Sequence, residues 1–192
     1  MPSLSEADRR SLLAFARAAI AESVLHQRLP CDIPSAGVFS LKRGAFVTIH
    51  SRGRLRGCIG IVEACEPLGA AIARCAAGAA LHDPRFAPLQ AEELSQLHVE
   101  ISLLSPPEPI DPEIVEIGKH GLIVSQGGKR GLLLPQVATE HHLTREQFLE
   151  ETCRKAGLPA NAWKEPETSI EGFTCEVFGE SQPITPGPGA GA

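Results

Sequence analysis

The chain of 192 residues has no tyrosine and one tryptophan, and aromatic residues make up only 4% of it. Exposed rings on which bases stack are therefore scarce, which argues against the nucleic-acid modules built on them. Net positive charge is also lacking. The formal charge is -5, so any attraction to nucleic acid or to an anionic membrane has to be local. The most apolar stretch, Leu68 to Leu81, is short, rich in alanine and carries Arg74, too little to span a bilayer. The first twenty residues hold Glu6, Asp8, Arg9, Arg10 and Arg17 among their apolar positions, so they form no signal-peptide hydrophobic region. The reading is a cytoplasmic protein.

Metal-ligand spacing is missing as well. The six cysteines, Cys31, Cys58, Cys65, Cys75, Cys153 and Cys175, contain no Cys-x-x-Cys pair, and the seven histidines show no His-x-x-x-His. No structural zinc site is expected. In a reducing compartment the thiols should be free, most of them as small core residues.

What is present fits a folded domain. Hydrophobic residues at 43% and charged residues at 21% are ordinary globular usage, while 18 glycines and 16 prolines predict many turns rather than a helical bundle. Ser5 with Asp8 opens a helix whose apolar positions Leu12, Phe15, Ala16, Ala19 and Ile20 keep a three-and-four spacing. Ala45 to His50 and Leu55 to Gly60 flank Ser-Arg-Gly-Arg as a hairpin. Glu66-Pro67 starts a second helix with Leu68, Ile72, Cys75 and Ala79 on its apolar face, stopped at His82-Asp83-Pro84. Val99 to Leu104 alternates as a strand, with Glu100 and Ser102 on its other face, and a short acidic helical turn follows at Glu113 to Ile117.

Gly121 to Ser125 and Gly131 to Leu134 form a second hairpin around Gly127-Gly128. Pro135 opens a short helix, Thr144 with Gln147 caps a longer one ending at Gly157, and Ile170 to Phe178 is a last strand. Hairpins interspersed with helices, without a regular βαβ rhythm, indicate an α+β fold with a mainly antiparallel sheet. The domain is placed over residues 5–180, open to division into two lobes, and residues 181–192 read as a disordered Gly/Pro-rich tail.

Two segments concentrate chemistry. Between Ile33 and Val62 there is no acidic residue, while Lys42, Arg43, Arg52, Arg54 and Arg56 contribute five positive charges. A thiol at Cys58 in that field would have its thiolate favoured, as a nucleophile or redox group requires. Gly57 and Gly60 would let a substrate approach closely. The same residues also suit a structural role, with Cys58 in the core, the glycines at bulges and the arginines solvating an edge strand.

The second segment, His82-Asp83-Pro84-Arg85-Phe86, offers His82 as base or acid, Asp83 to orient a partner and Arg85 to hold an anion. Helix termination and turn chemistry account for these residues too.

Leu55-Arg-Gly-Cys-Ile-Gly60, Asp83-Pro-Arg-Phe86, Glu100-Ile101, His120-Gly-Leu122, Leu133-Leu-Pro-Gln-Val-Ala138 and Cys153-Arg-Lys-Ala-Gly-Leu158 together resemble the AMMECR-domain family, the A component of the AmmeMemoRadiSam system. The resemblance covers about residues 8 to 180. It implies an α+β fold with a larger and a smaller lobe. It also implies association with a Memo-type protein, related to metal-dependent dioxygenases, and with a radical S-adenosylmethionine enzyme, as in a modification pathway. Interest falls on Arg56, Gly57, Cys58 and Gly60, and then on His82, Asp83 and Arg85. The resemblance supplies neither a reaction nor a cofactor. On this reading a basic cleft around Arg56 and Cys58 binds an anionic substrate; alternatively, Leu55 to Gly60 is the recognition surface of a non-catalytic binding or regulatory module.

Overall fold

The computed structural model describes residues 4–180; the tail expected over 181–192 lies outside them. Within that range the chain is α+β, with four α-helices and seven strands, and it divides into two compact units.

The first unit comprises residues 4–61, 66–102 and 177–180. Helix α1, Glu6–His26, begins where the Ser5 hydroxyl accepts the Asp8 N–H, satisfying one of the four open amides of the first turn. Strands β1 (Ala45–Ser51) and β2 (Arg54–Ile61) form the expected hairpin, turned by Arg52 and Gly53 at φ 51° and 73°, the left-handed pair that a two-residue turn demands. Helix α2, Leu68–Leu81, buries Leu68, Ile72, Cys75 and Ala79 as its spacing predicts.

Helix α2 packs on α1 on one side and on β1 and β2 on the other. Its alanines permit the short approach that larger side chains would prevent. Each Leu or Ile so buried stabilises the unit by about 1.5–3 kcal/mol. Strand β3, Leu97–Leu104, begins earlier than the alternation shows and follows a 3-10 turn over Ala91–Gln96 that the sequence pattern does not reveal. The strand order here is β2-β1-β3-β7, where β7 is Ser169–Gly179.

The second unit holds residues 62–65 and 103–176. Its strands are the two-residue β4 (Glu108–Pro109), β5 (His120–Gln126), β6 (Lys129–Leu133) and most of β7 (Ser169–Gly179). All pair antiparallel, β5 with both β6 and β7, and β4 with β7. The acidic turn is a 3-10 turn at Pro112–Ile114 rather than a helix reaching Ile117.

Helices α3 (Pro135–Glu140) and α4 (Arg145–Lys155) follow, the latter with a reciprocal Thr144–Gln147 capping box. Phe148, Leu149 and Cys153 of α4 meet Leu122, Val124 and Ile170 in the core of this unit.

Candidate functional site

The register of the first hairpin decides which way Cys58 points. A two-residue turn at Arg52-Gly53 with unbroken pairing would set Val47 opposite Cys58. Instead Ile49 pairs with Gly57 and His50 with Leu55, so Arg56 is the extra residue of a β-bulge. Thr48 therefore stands opposite Cys58. Val47 is fully buried, and alternation puts Thr48 and Cys58 on the opposite face. The Thr48 hydroxyl donates to the Cys58 sulfur at 3.3 Å, and Cys58 is half-buried rather than a core residue.

The segment after α2 closes on the same strand. Asp83, only 4% exposed, accepts the Cys58 N–H at 2.8 Å, the Arg85 N–H at 3.1 Å, Arg85 Nε at 2.9 Å and Arg85 Nη2 at 2.7 Å. Arg85 Nη2 also donates to the Cys58 carbonyl at 3.3 Å. The Cys58 peptide is thus held at both its N–H and its C=O. The Arg85 guanidinium, followed by the Cys58 and Arg85 amides, keeps the Asp83 carboxyl well below the usual carboxylate range against the cost of burial. Asp83 in turn raises Arg85, and the nearby Cys58 adds to that shift. The Arg85 side chain is 54% exposed, so the pair presents its cation outward and its anion inward.

Arg56, expected to bind an anion, is engaged by the protein's own 87–93 segment. Its Nε and Nη2 fork onto Glu93 at 2.8 and 3.0 Å, and further bonds reach the carbonyls of Ala87 at 2.7 Å and Pro88 at 3.4 Å. Its side chain is only 18% exposed. The bulge aims it at the 87–93 segment, which it fastens to β2. Arg56 also holds Glu93 below the ordinary range, helped by the Gln90 amide. Around Cys58, Arg85 rather than Arg56 is the cation that reaches solvent.

The two glycines lie against other parts of the protein. A Cβ at Gly57 would lie 2.0 Å from the Ala79 carbonyl oxygen, and one at Gly60 would lie 2.1 Å from the Phe46 ring. The missing side chains admit the protein's own α2 and Phe46. His82 is the exposed C-cap of α2, and its imidazole has no hydrogen bond or ion pair among the described residues. The residues of this segment that reach Cys58 are Asp83 and Arg85.

Thr48 and Glu93 were not singled out from the sequence. Finding Thr48 requires knowing the bulge, and Glu93 carries no local signal. Among the described residues no group of three histidine, cysteine or acidic side chains is placed to hold a metal ion.

The remaining thiols divide by burial. None of the six is in a disulfide; Cys31 and Cys65 are exposed, Cys175 is half-buried, and Cys75 and Cys153 are buried. Most are therefore not core residues as expected. Burial pushes Cys75 up to about 11 and raises Cys153 as well. No helix among the described residues is long and apolar enough to cross a membrane.

Comparison with known proteins agrees with the motifs. A protein of Methanothermobacter thermautotrophicus is 46% identical over 187 residues, spanning 92% of this chain and 96% of the relative. One from Thermococcus kodakarensis is 41% identical over 91% of each. The crystal structure of an uncharacterised protein from Pyrococcus horikoshii superposes with a TM-score of 0.81 at 39% identity, covering 94% of this chain and 95% of that one. The AMMECR1 family model matches residues 13–178, and the chain belongs to the AMMECR1 family.

Proposed function

We propose that this AMMECR1-family chain is a component of a modification pathway that acts with a Memo-type dioxygenase-like protein and a radical S-adenosylmethionine enzyme. In this reading it binds an anionic group where the Cys58 thiol and the Arg85 guanidinium meet. The partner classes rest on the family resemblance. The observation that carries the site is the buried Asp83 carboxylate, which ties the Cys58 peptide and Arg85 into one rigid unit. It leaves the thiol half-buried and the guanidinium 54% exposed. The Arg85 cation, fixed beside the Cys58 peptide, gives an anion a charged partner there.

Intact-mass analysis of the chain incubated with its two partner enzymes tests this reading. A mass change is expected in the wild type and absent in Cys58→Ser. An identical mass change in both, or none in either, overturns a covalent role for Cys58.

A second reading is favoured by the engagement of Arg56. All three of its nitrogens are committed to Glu93, Ala87 and Pro88, so Leu55 to Gly60 is held rigid, as a recognition surface requires. Under that reading Cys58→Ser still binds the partner enzymes with wild-type affinity, while Arg56→Ala does not.

A further inference from the structure

A cavity of about 430 Å³ lies in the second unit, within the size range of small-ligand sites. It is built by three strands. Gly172 of β7 pairs with Glu108 of β4 and with Leu122 of β5, and Thr174 pairs with His120. Since β4 and β5 both pair with Gly172, they flank β7 on opposite edges. Paired residues share a face and alternate residues return to it. Glu108, Gly172, Thr174 and His120 therefore line one face. Further along that face Leu122 is buried with Phe148 and Leu149; at this end the face opens into the cavity.

The two walls differ in chemistry. On one, His120 Nδ1 accepts the Glu116 N–H at 3.0 Å, which fixes the ring and leaves the hydrogen of the neutral imidazole on Nε2. Beside it is Thr174, whose backbone N–H and C=O are both taken by Ser105, so the hydroxyl is its remaining polar group. The Ser105 hydroxyl, by contrast, accepts from Thr174 and donates to Pro106. On the other wall the exposed Glu108 carboxylate has no partner among the described residues.

The floor at Gly172 carries no side chain. Ile110 leans over it, 2.8 Å from where a Cβ would sit, and Ile114, 63% exposed, lines the cavity.

Two strand spacings of about 4.8 Å and two residues of about 3.4 Å separate the His120 and Glu108 Cα atoms by roughly 12 Å. With both side chains reaching inward, the space between them suits a molecule only a few heavy atoms long between its charged ends. An anion alone would meet Glu108, and a cation alone would leave the His120 N–H and the Thr174 hydroxyl unmatched.

We infer that this cavity binds a free aliphatic α-amino acid. Its carboxylate accepts from His120 Nε2–H and the Thr174 hydroxyl, its ammonium donates to Glu108, and its side chain packs on Ile110 and Ile114.

Titration calorimetry on the full chain tests this with L-leucine, leucinamide, which lacks the carboxylate, and 4-methylpentanoate, which lacks the ammonium. Leucine should bind saturably, and each truncated ligand should bind about tenfold more weakly or worse, the loss expected for one charge-assisted hydrogen bond. Glu108→Gln and His120→Ala should each weaken leucine binding by a similar factor. Glu108 is exposed, so its variant retains the fold and decides the matter even if His120→Ala does not fold. No saturable binding at millimolar leucine, leucinamide binding as well as leucine, or Glu108→Gln binding like wild type overturns the assignment.

Discussion

The Cys58 amide donates to the Asp83 carboxylate at 2.8 Å across 25 positions of chain, and the same carboxylate receives the Arg85 guanidinium at 2.7 Å. A buried carboxylate with these partners orders a strand and a helix-terminating turn together. Each partner removed leaves another polar group unsatisfied, so the site is cooperative.

Asp83→Ala should destabilise the protein by about 2–3 kcal/mol, since it leaves the Cys58 N–H without its acceptor and Arg85 without its anion. Urea unfolding measures this as a lower midpoint at an unchanged slope.

The acid dependence follows from the depressed Asp83 titration. A carboxyl whose folded pKa lies below its unfolded value, about 3.9, contributes full stability above the unfolded value and loses it as pH falls toward the folded one. Wild type should therefore lose stability more steeply below about pH 4 than Asp83→Asn, which lacks the group and is already less stable at neutral pH. Parallel acid-unfolding curves for the two would contradict this.

Arg56 and Glu93 should show coupling of about 1 kcal/mol or more in a double-mutant cycle, above the range of most exposed pairs, because the fork is bidentate and largely buried. Arg56→Lys cannot reproduce the fork. Hydrogen exchange in the 87–93 segment should accelerate in that variant.

Gly57→Ala and Gly53→Ala separate two uses of glycine. The first places a methyl 2.0 Å from a backbone oxygen of α2, which cannot move as a flexible side chain can; a loss of about 3 kcal/mol or failure to fold is expected. At Gly53, φ is 73° with open space around it, so the cost is conformational, about 1 kcal/mol. Thermal unfolding ranks them.

Both hairpins, α2 and the Thr144 cap were legible because period, turn residues and caps are local signals. The 3-10 turn at Ala91–Gln96 and the two-residue β4 were not, since neither is long enough to impose a period. At the site, Cys58, Asp83 and Arg85 stand out in the sequence by residue type, and their meeting does not. The ion pair of Arg56 was hidden for one reason. The acid-free run from Ile33 to Val62 counts charge along the chain, whereas Glu93, far off in sequence, neutralises Arg56 in space. The bulge that turns Cys58 toward Thr48 is a one-residue shift of register, which flips a face without changing composition.

The most direct test of the Cys58 site is competitive alkylation of the folded protein with iodoacetamide at neutral pH, read by peptide mapping. The account predicts that half-buried Cys58 reacts faster than the exposed Cys31 and Cys65, that Arg85→Gln or added phosphate slows it, and that Cys75, pushed up to about 11, stays unreactive until unfolding. Cys58 reacting no faster than Cys31 and Cys65, with no response to Arg85→Gln, would contradict it.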